Sequence, residues 1–492
     1  MRREFAVNLA LLLAINALIK PLYLFGVDLG VQNAVGTVEY GRYASWYAFA
    51  FLFGVVYDLG LINYNSVTLS KRPGLLTERL PVMLSLKLGL SLVYLAVVVG
   101  VAYAYGARGR DLQLVGLAGV YHAAISLLHL MRTTLGAQAK YRFNSLVSVV
   151  DRALLIVVIG GLLLFPGLYA GTITVEFFFL AQIASVWVAT AVAVWGTDLS
   201  PGQRWLAWRP AEALSLARAA VPYALVLLLT TAFTRIDVVM VEALSPRGYY
   251  EAGKYAAAYR LLDAINMVGF MFASLLVPML SKQVTAGERV TPLLRQAAGY
   301  LTAIGVGLAA WTTFHAEDLM TGLYTEATPD WGAVLGVLMW ASVGVGFTYV
   351  FGSYLLTRER FGLLNTAFGV ALVANVGLNY WLVPHYGATG AALATIVTQG
   401  GIAGFEYVAS AVGEARLHGR TVAAELRGGL PAVRIAAYAT LVLGSGYLLS
   451  PDLLSGSTTI AVLAQAACCA LAGVLTGLFG SLAEVRALLS GK

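Results

Sequence analysis

Eight ionisable residues lie inside long apolar runs or at their lips: the cations Lys20, Arg42, Lys254 and Arg260, and the acids Asp58, Asp237, Asp263 and Glu406. Charge within hydrocarbon is costly and by default faces a cavity, a partner or a substrate path. The cations suit phosphate or carboxylate, and an arginine can hold phosphate bidentately. The acids suit a proton or Na⁺. Each residue also has a plainer reading. Lys20 either lines a cavity or stretches its stem outward to the headgroups. Arg260 either meets an anion or pairs with Asp263 three residues on, on the same helix face. Asp58 and Lys87 share the inner half of neighbouring helices and suit a simple pair, and each acid also fits an ion-pair or helix-cap role. Four tyrosines accompany the outer cations: Tyr43, Tyr47, Tyr255 and Tyr259. They read as part of an interfacial aromatic belt or as platforms that stack on sugar rings.

The elements that carry these residues follow from composition. Of 492 residues, 59% are hydrophobic and 12% charged. A soluble domain is about one quarter charged, so the chain is read as an all-α integral membrane protein. A crossing needs about 20 apolar residues. Such runs occur at about 5–27, 42–66, 80–105, 112–134, 144–167, 173–196, 218–241, 255–280, 293–314, 331–356, 360–383, 387–412, 431–450 and 457–480. That makes about fourteen transmembrane helices. The run after Arg2 and Arg3 is longer than a signal-peptide core and has no small-residue cleavage site, so it reads as a retained first span. Lys20 then sits roughly 8 Å below the outer edge of the core, and Arg260 at a similar depth.

With the N-terminus inside, 22 of the 32 Lys and Arg fall in inner segments, six in outer ones and four within helices. Positive charge collects on the cytoplasmic side, so both termini are expected there. The net charge of +7 reads as this bias and not as a nucleic-acid footprint.

A seven-residue phrase occurs twice: "GRYASWY" at 41–47 and "GKYAAAY" at 253–259. Each opens a span at the outer face, six helices apart. An even offset preserves orientation, so the pattern favours two parallel six-helix halves over chance. The expected organisation is 1–197 as an N-terminal six-helix bundle and 198–217 as a cytoplasmic linker. A second bundle at 218–413 follows, then 414–492 as a cytoplasmic loop with helices 13 and 14.

Enzyme signals are missing. There is no G-x-x-x-x-G-K-S/T phosphate loop, no Cys/His metal spacing and no outer loop with paired carboxylates. His122 and His129, seven apart, do not make a site. The adjacent Cys468 and Cys469 read as small buried hydrophobes. No cofactor, metal or nucleic-acid partner is expected.

"NALIKPLYLFGVDLGVQNAVGTVEYGRY" with "YDLGLINYNSVTLSK", the segment from "TRIDVVMVEAL" to "VPMLSK", and "LVPHYGATGAALATIVTQ" resemble polysaccharide flippases. These are the O-antigen and lipid-linked oligosaccharide transporters of the MOP superfamily, related to MATE exporters and lipid II flippases. The resemblance runs from about residue 5 to 480. It implies a MATE-like fold of two six-helix bundles with pseudo-twofold symmetry, plus two C-terminal helices. It implies alternating access in a bacterial inner membrane. The substrate would be a polyprenyl-(pyro)phosphate-linked oligosaccharide, moved from the cytoplasmic to the outer leaflet through a cationic central cleft. The transporter would be a monomer among membrane lipids, with Na⁺ or proton coupling in place of ATP. Lipid II flippases carry cleft arginines on helices 1, 2 and 8, where Lys20, Arg42 and Arg260 fall. Three alternatives remain open: a MATE-type drug/ion antiporter, a membrane glycan polymerase or ligase, and a fourteen-helix ion-pumping subunit.

Overall fold

The computed structural model describes residues 15–62, 76–168, 171–197, 205–429, 432–448, 458–476 and 478. The expected helix start at 5–14, residues 198–204 of the expected linker and both chain ends lie outside the described residues. Every regular element among the described residues is helical. The chain divides into two compact units, Met1–Glu242 and Ala243–Lys492.

In the first unit, α1 spans 15–35 and contains a π-helical stretch at Leu22–Asp28, directly after Pro21. Proline lacks the N–H that a helix interior requires, and the wider turn absorbs that loss. Helix α2 is Thr37–Leu52, continued past Phe53 as Gly54–Asp58. Then come α3 (Leu76–Tyr105), α4 (Arg110–Ala137), α5 (Tyr141–Leu164) and α6 (Val175–Trp195). Thr174 caps α6 by accepting the Phe177 N–H at 3.2 Å. Helix α7 is Pro210–Leu244. Its Ala213, Leu216 and Ala220 recur at helical spacing and join the core formed by Leu80, Met83, Leu130 and Leu135. Residues 210–217 of the expected linker are therefore the opening turns of a helix packed on the first unit. Pro210 at the helix start costs no hydrogen bond there.

In the second unit, α8 is Tyr249–Thr285, α9 is Thr291–Leu323 and α10 is Asp330–Thr357. Helix α10 carries a π-helical stretch at Thr348–Gly352. The segment Phe361–Leu417 is helical throughout except at Gly387, where φ is 55° and ψ −135°. It is thus two helices, α11 (361–386) and α12 (388–417). A short helix α13 (Val422–Gly429) precedes α14 (Ala432–Leu448) and α15 (Thr458–Leu475). The last two pack on α9 through Ala303, Val306 and Ala310, which meet Tyr438 and Val442 of α14 and Ala472 of α15. Buried His315 of α9 meets Gln465 of α15 at 2.7 Å.

The described residues of each of the fourteen expected segments lie mostly on helix. Among the described residues, eight helical stretches are long and apolar enough to cross a membrane by length and composition: α3 to α6, α8 to α10, and Phe361–Leu417, which comprises α11 and α12. The protein is therefore a multi-pass membrane protein, while fourteen remains a count of helical segments and not of established crossings.

Candidate functional site

The repeated phrase has a structural meaning larger than its seven residues. Both helices that carry it start directly after a glycine of positive φ, Gly36 at 85° and Gly248 at 38°. Aligned on those glycines, the shared pattern becomes G-x-x-E-x-G-R/K-Y, which adds Glu39 and Glu251. In each unit the repeat cation pairs with its own glutamate three residues back. Arg42 lies 3.8 Å from Glu39, and Lys254 lies 3.1 Å from Glu251. Each cation also reaches an aspartate at the start of the helix two further on. Arg42 approaches Asp111 of α4 at 3.6 Å, and Lys254 approaches Asp330 of α10 at 2.8 Å. The following tyrosine ties the same helix to the sixth of its bundle. Tyr43 accepts from Gln182 of α6 at 2.8 Å, and Tyr255 meets Thr395 of α12 at 3.1 Å.

These contacts bear directly on the outer residues singled out from sequence. Arg42 and Lys254 are each met by two carboxylates inside their own unit, so helix-to-helix pairing accounts for their charge. Tyr43 and Tyr255 are buried, with Tyr43 ringed by Tyr40, Tyr47, Phe178 and Phe179. Sugar stacking needs an open ring face, which neither offers. Tyr47 and Tyr259 are partly exposed, each packed against the buried tyrosine of its own phrase.

Asp58 and Lys87 form a pair at 2.5 Å, with side chains 2% and 1% exposed. Arg260 is buried in the second unit, where it donates to the Tyr324 hydroxyl at 2.5 Å and lies against that ring. Asp263 accepts a long contact from Asn266 at 3.5 Å, and Asp237 is buried on α7. Glu406 is fully buried on α12, and neither carboxylate oxygen has a hydrogen-bond partner.

The first unit gathers a cation group that the sequence did not assemble. Lys20 of α1 lies within electrostatic reach of Arg152 on α5, Arg132 on α4 and Asp151. Arg152 pairs with Asp151 at 3.0 Å and sits over the Tyr23 ring of α1. Arg132 touches Asn144 at 3.2 Å, and among the described residues neither it nor Lys20 has a carboxylate at ion-pair distance. Three cations thus face one acid. Arg132 also lines a cavity of about 400 Å³ with His129, Thr133, Tyr141 and Asn144. Arg152 carried one available signal, as one of the few Lys and Arg placed within a predicted span. Its convergence with Lys20 and Arg132 was not readable, because the three come from separate helices.

At the opposite extreme stands a fully satisfied acidic cluster in the second unit. Glu414 accepts from Tyr354 and Arg358, each at 2.8 Å, and from the Val290 N–H at 3.3 Å. Glu425 of α13 accepts from Arg289 at 2.9 Å and from Thr291 at 2.5 Å. Burial works to raise the Glu425 carboxyl, but the hydrogen bonds from Thr291 and Arg289 and the charges of Arg289 and Arg420 outweigh it. The group is held below its ordinary value.

Comparison with known proteins adds the following. A family model described as polysaccharide biosynthesis protein matches residues 8–284. No curated protein matches the chain. An inward-facing multidrug resistance MATE family transporter of the MOP superfamily superposes with a TM-score of 0.63 at 16% identity, covering 83% of this chain and 98% of that one. The lipid II flippase MurJ in an inward closed conformation gives 0.64 at 12% identity, covering 94% and 98%. A MOP superfamily transporter from Pyrococcus furiosus, whose binding pocket is described as of reverse polarity, gives 0.58 at 16% identity, covering 84% and 95%. The chain shares its fold with these proteins.

Proposed function

Because the chain belongs to the polysaccharide biosynthesis protein family, we propose that it is a flippase for polyprenyl-(pyro)phosphate-linked oligosaccharide, carrying the polar head from the cytoplasmic to the outer leaflet by alternating access. The observation that carries this reading is the group Lys20, Arg132 and Arg152, which holds three cations against the single Asp151 beside a cavity of about 400 Å³. An excess of positive charge within a membrane-spanning bundle is sustained by water or by an anion. A phosphate head supplies that anion, and Arg152 and Arg132 supply planar donors for it. The hydroxyl-rich sugar then crosses in a hydrated path while the lipid tail stays in the bilayer. An exporter of organic cations would call for the opposite sign at this position. Arg260 is the corresponding candidate of the second unit, and the reading retains it as a phosphate contact in one state of the transport cycle. In this proposal the membrane is a bacterial inner membrane with both termini on its cytoplasmic side, and an ion gradient or the membrane potential supplies the energy.

The test is transfer of a fluorescent polyprenyl-pyrophosphate oligosaccharide across reconstituted vesicles. A charged hydrogen bond is worth about 1.5–3 kcal/mol, so Lys20→Ala with Arg152→Ala should slow transfer by roughly tenfold or more. Arg152→Lys should recover only part, because it keeps the charge and loses the fork. Wild-type transfer by the folded double variant would remove the cationic-site reading. Unchanged transfer after collapse of the gradients would remove the coupling claim.

A further inference from the structure

Along one face of α12, three polar side chains point into the second unit with oxygens that have no hydrogen-bond partner. Glu406 Oε1 and Oε2, Ser410 Oγ and Gln399 Oε1 are all buried with no hydrogen bond, as is Thr348 Oγ1 on α10. Glu406 and Ser410 are one helical turn apart, and Gln399 is two turns before Glu406, so the three share a face. Buried polar groups in native proteins are nearly always paired, and here five oxygens in one unit are not. This is no general looseness of α12. Two turns past Glu406, Glu414 on the same helix has Tyr354, Arg358 and the Val290 N–H as partners.

The helix opposite is built for close approach. A methyl group on Gly352 would lie 3.0 Å from Glu406 Oε1, and one on Gly344 would lie 3.0 Å from the Gln399 carbonyl. Between those glycines α10 changes to π-helix at Thr348–Gly352. Single π turns recur at functional sites because they re-aim side chains and disturb the backbone ladder. Thr348, the first residue of that turn, acts on the Glu406 carboxyl, and no charged group does so among the described residues. Among the ionisable groups on the surrounding elements are Asp263 and Arg260 of α8, Arg358 after α10, Glu414 of α12 and Glu425 of α13. Glu414 and Glu425 are satisfied by their own partners.

We propose that Glu406, with the Thr348 and Ser410 hydroxyls, forms a monovalent-cation site at the π turn of α10, taking a proton or Na⁺. An isolated buried carboxylate is not tolerated, so its charge must be matched by a bound positive charge. Oxygens line this place and, among the described residues, no charged group acts on the Glu406 carboxyl, which is the chemistry of a small hard cation or an exchangeable proton. An opening of the α10–α12 seam at Gly352 would admit the cation. The site stands independently of the substrate assigned above.

The experiment uses the full chain in lipid nanodiscs. Infrared difference spectra between about pH 5 and about pH 9 read the carbonyl stretch of a protonated carboxylic acid. Thermal melts with Na⁺, against choline as control, read cation binding by linkage. If the proton is the occupant, a carbonyl band present at low pH disappears on raising pH and is absent in Glu406→Gln. If Na⁺ is the occupant, Na⁺ removes the band and raises Tm in wild type, with neither effect in Glu406→Gln. Either outcome supports the site. Thr348→Val, which keeps Glu406, should shift the pH or Na⁺ midpoint several-fold and serves if Glu406→Gln does not fold. The proposal is overturned if no carboxyl band depends on Glu406 and Na⁺ does not raise Tm. Midpoints unmoved in Thr348→Val would equally overturn it.

Discussion

The buried pair Asp58–Lys87 allows a quantitative test of what a charge inside this protein is for. The charges are 2.5 Å apart and almost completely enclosed. At an effective dielectric constant of about 20 their attraction is about 7 kcal/mol, most of it offset by the loss of hydration. Removing one partner leaves the other ionised and unmet, which costs roughly 3–5 kcal/mol. For a unit of this size each kcal/mol moves Tm by about 2–4 °C, so Lys87→Met should lower Tm by roughly 6–20 °C. Removing both charges with Asp58→Leu and Lys87→Met should be neutral within about 1–2 kcal/mol or even stabilising. The exchanged pair, Asp58→Lys with Lys87→Asp, should recover much of the loss. Fluorescence-detected melts in one detergent of wild type, Asp58→Leu, Lys87→Met and the double apolar variant complete the double-mutant cycle. Vesicle transfer by the double apolar variant should stay near wild type, because a structural pair carries no coupling ion. A Tm for Lys87→Met within about 2 °C of wild type would refute the energetic reasoning. A stable double variant that cannot transfer substrate would show Asp58 to be a coupling residue after all.

Other outcomes follow from the same geometry. Lys254→Met removes a buried cation, 5% exposed, from the buried carboxylate of Glu251, 3% exposed, and from the half-exposed Asp330. It should lose about 3–5 kcal/mol, whereas Arg42→Met, at a position 24% exposed, should lose about 1 kcal/mol or less; thermal melts of the two variants decide this. Gly387→Ala should be strongly destabilising, as its φ of 55° with ψ of −135° strains any side chain by about 1–3 kcal/mol. The added methyl would also lie 2.6 Å from Glu251 Oε2, which is held by the Ala388 N–H; expression and Tm are the readouts. Glu425 is held below its ordinary value in the fold, so its stabilisation is complete above the unfolded carboxyl value near about pH 4–5 and is lost as pH falls through the folded one. Tm should therefore drop on acidification in wild type and drop less in Glu425→Gln.

Local features of this chain were legible in its sequence, and contacts between distant helices were not. Helix positions were readable because hydropathy over some twenty residues is a local property, and the described part of each expected run is mostly helix. The linker at 198–217 was misplaced in part, because the opening of α7 is polar enough to resemble a loop until Ala213 and Leu216 find the first unit's core. The repeat was visible in spelling as seven residues. Its full pattern, with Glu39 and Glu251, emerged only when both copies were anchored on Gly36 and Gly248. Asp58–Lys87 was foreseeable as a pairing of neighbours, while Lys20–Arg132–Arg152 was not.

The sequence by itself determined that the chain lives in a membrane, that it is helical, and that it contains two copies of one plan. Those properties are written in runs, periods and repeats, which need no third dimension. Tertiary structure decided what each charge does. Whether a lysine meets two carboxylates, as Lys254 does, or lies among other cations, as Lys20 does, depends on side chains brought in from distant helices. The same holds for the acids. Glu406 and Glu414 are two turns apart on one helix, yet one is unpartnered and the other has three donors. Electrostatic energy at contact distance changes over a few ångströms, and only packing sets distances that small.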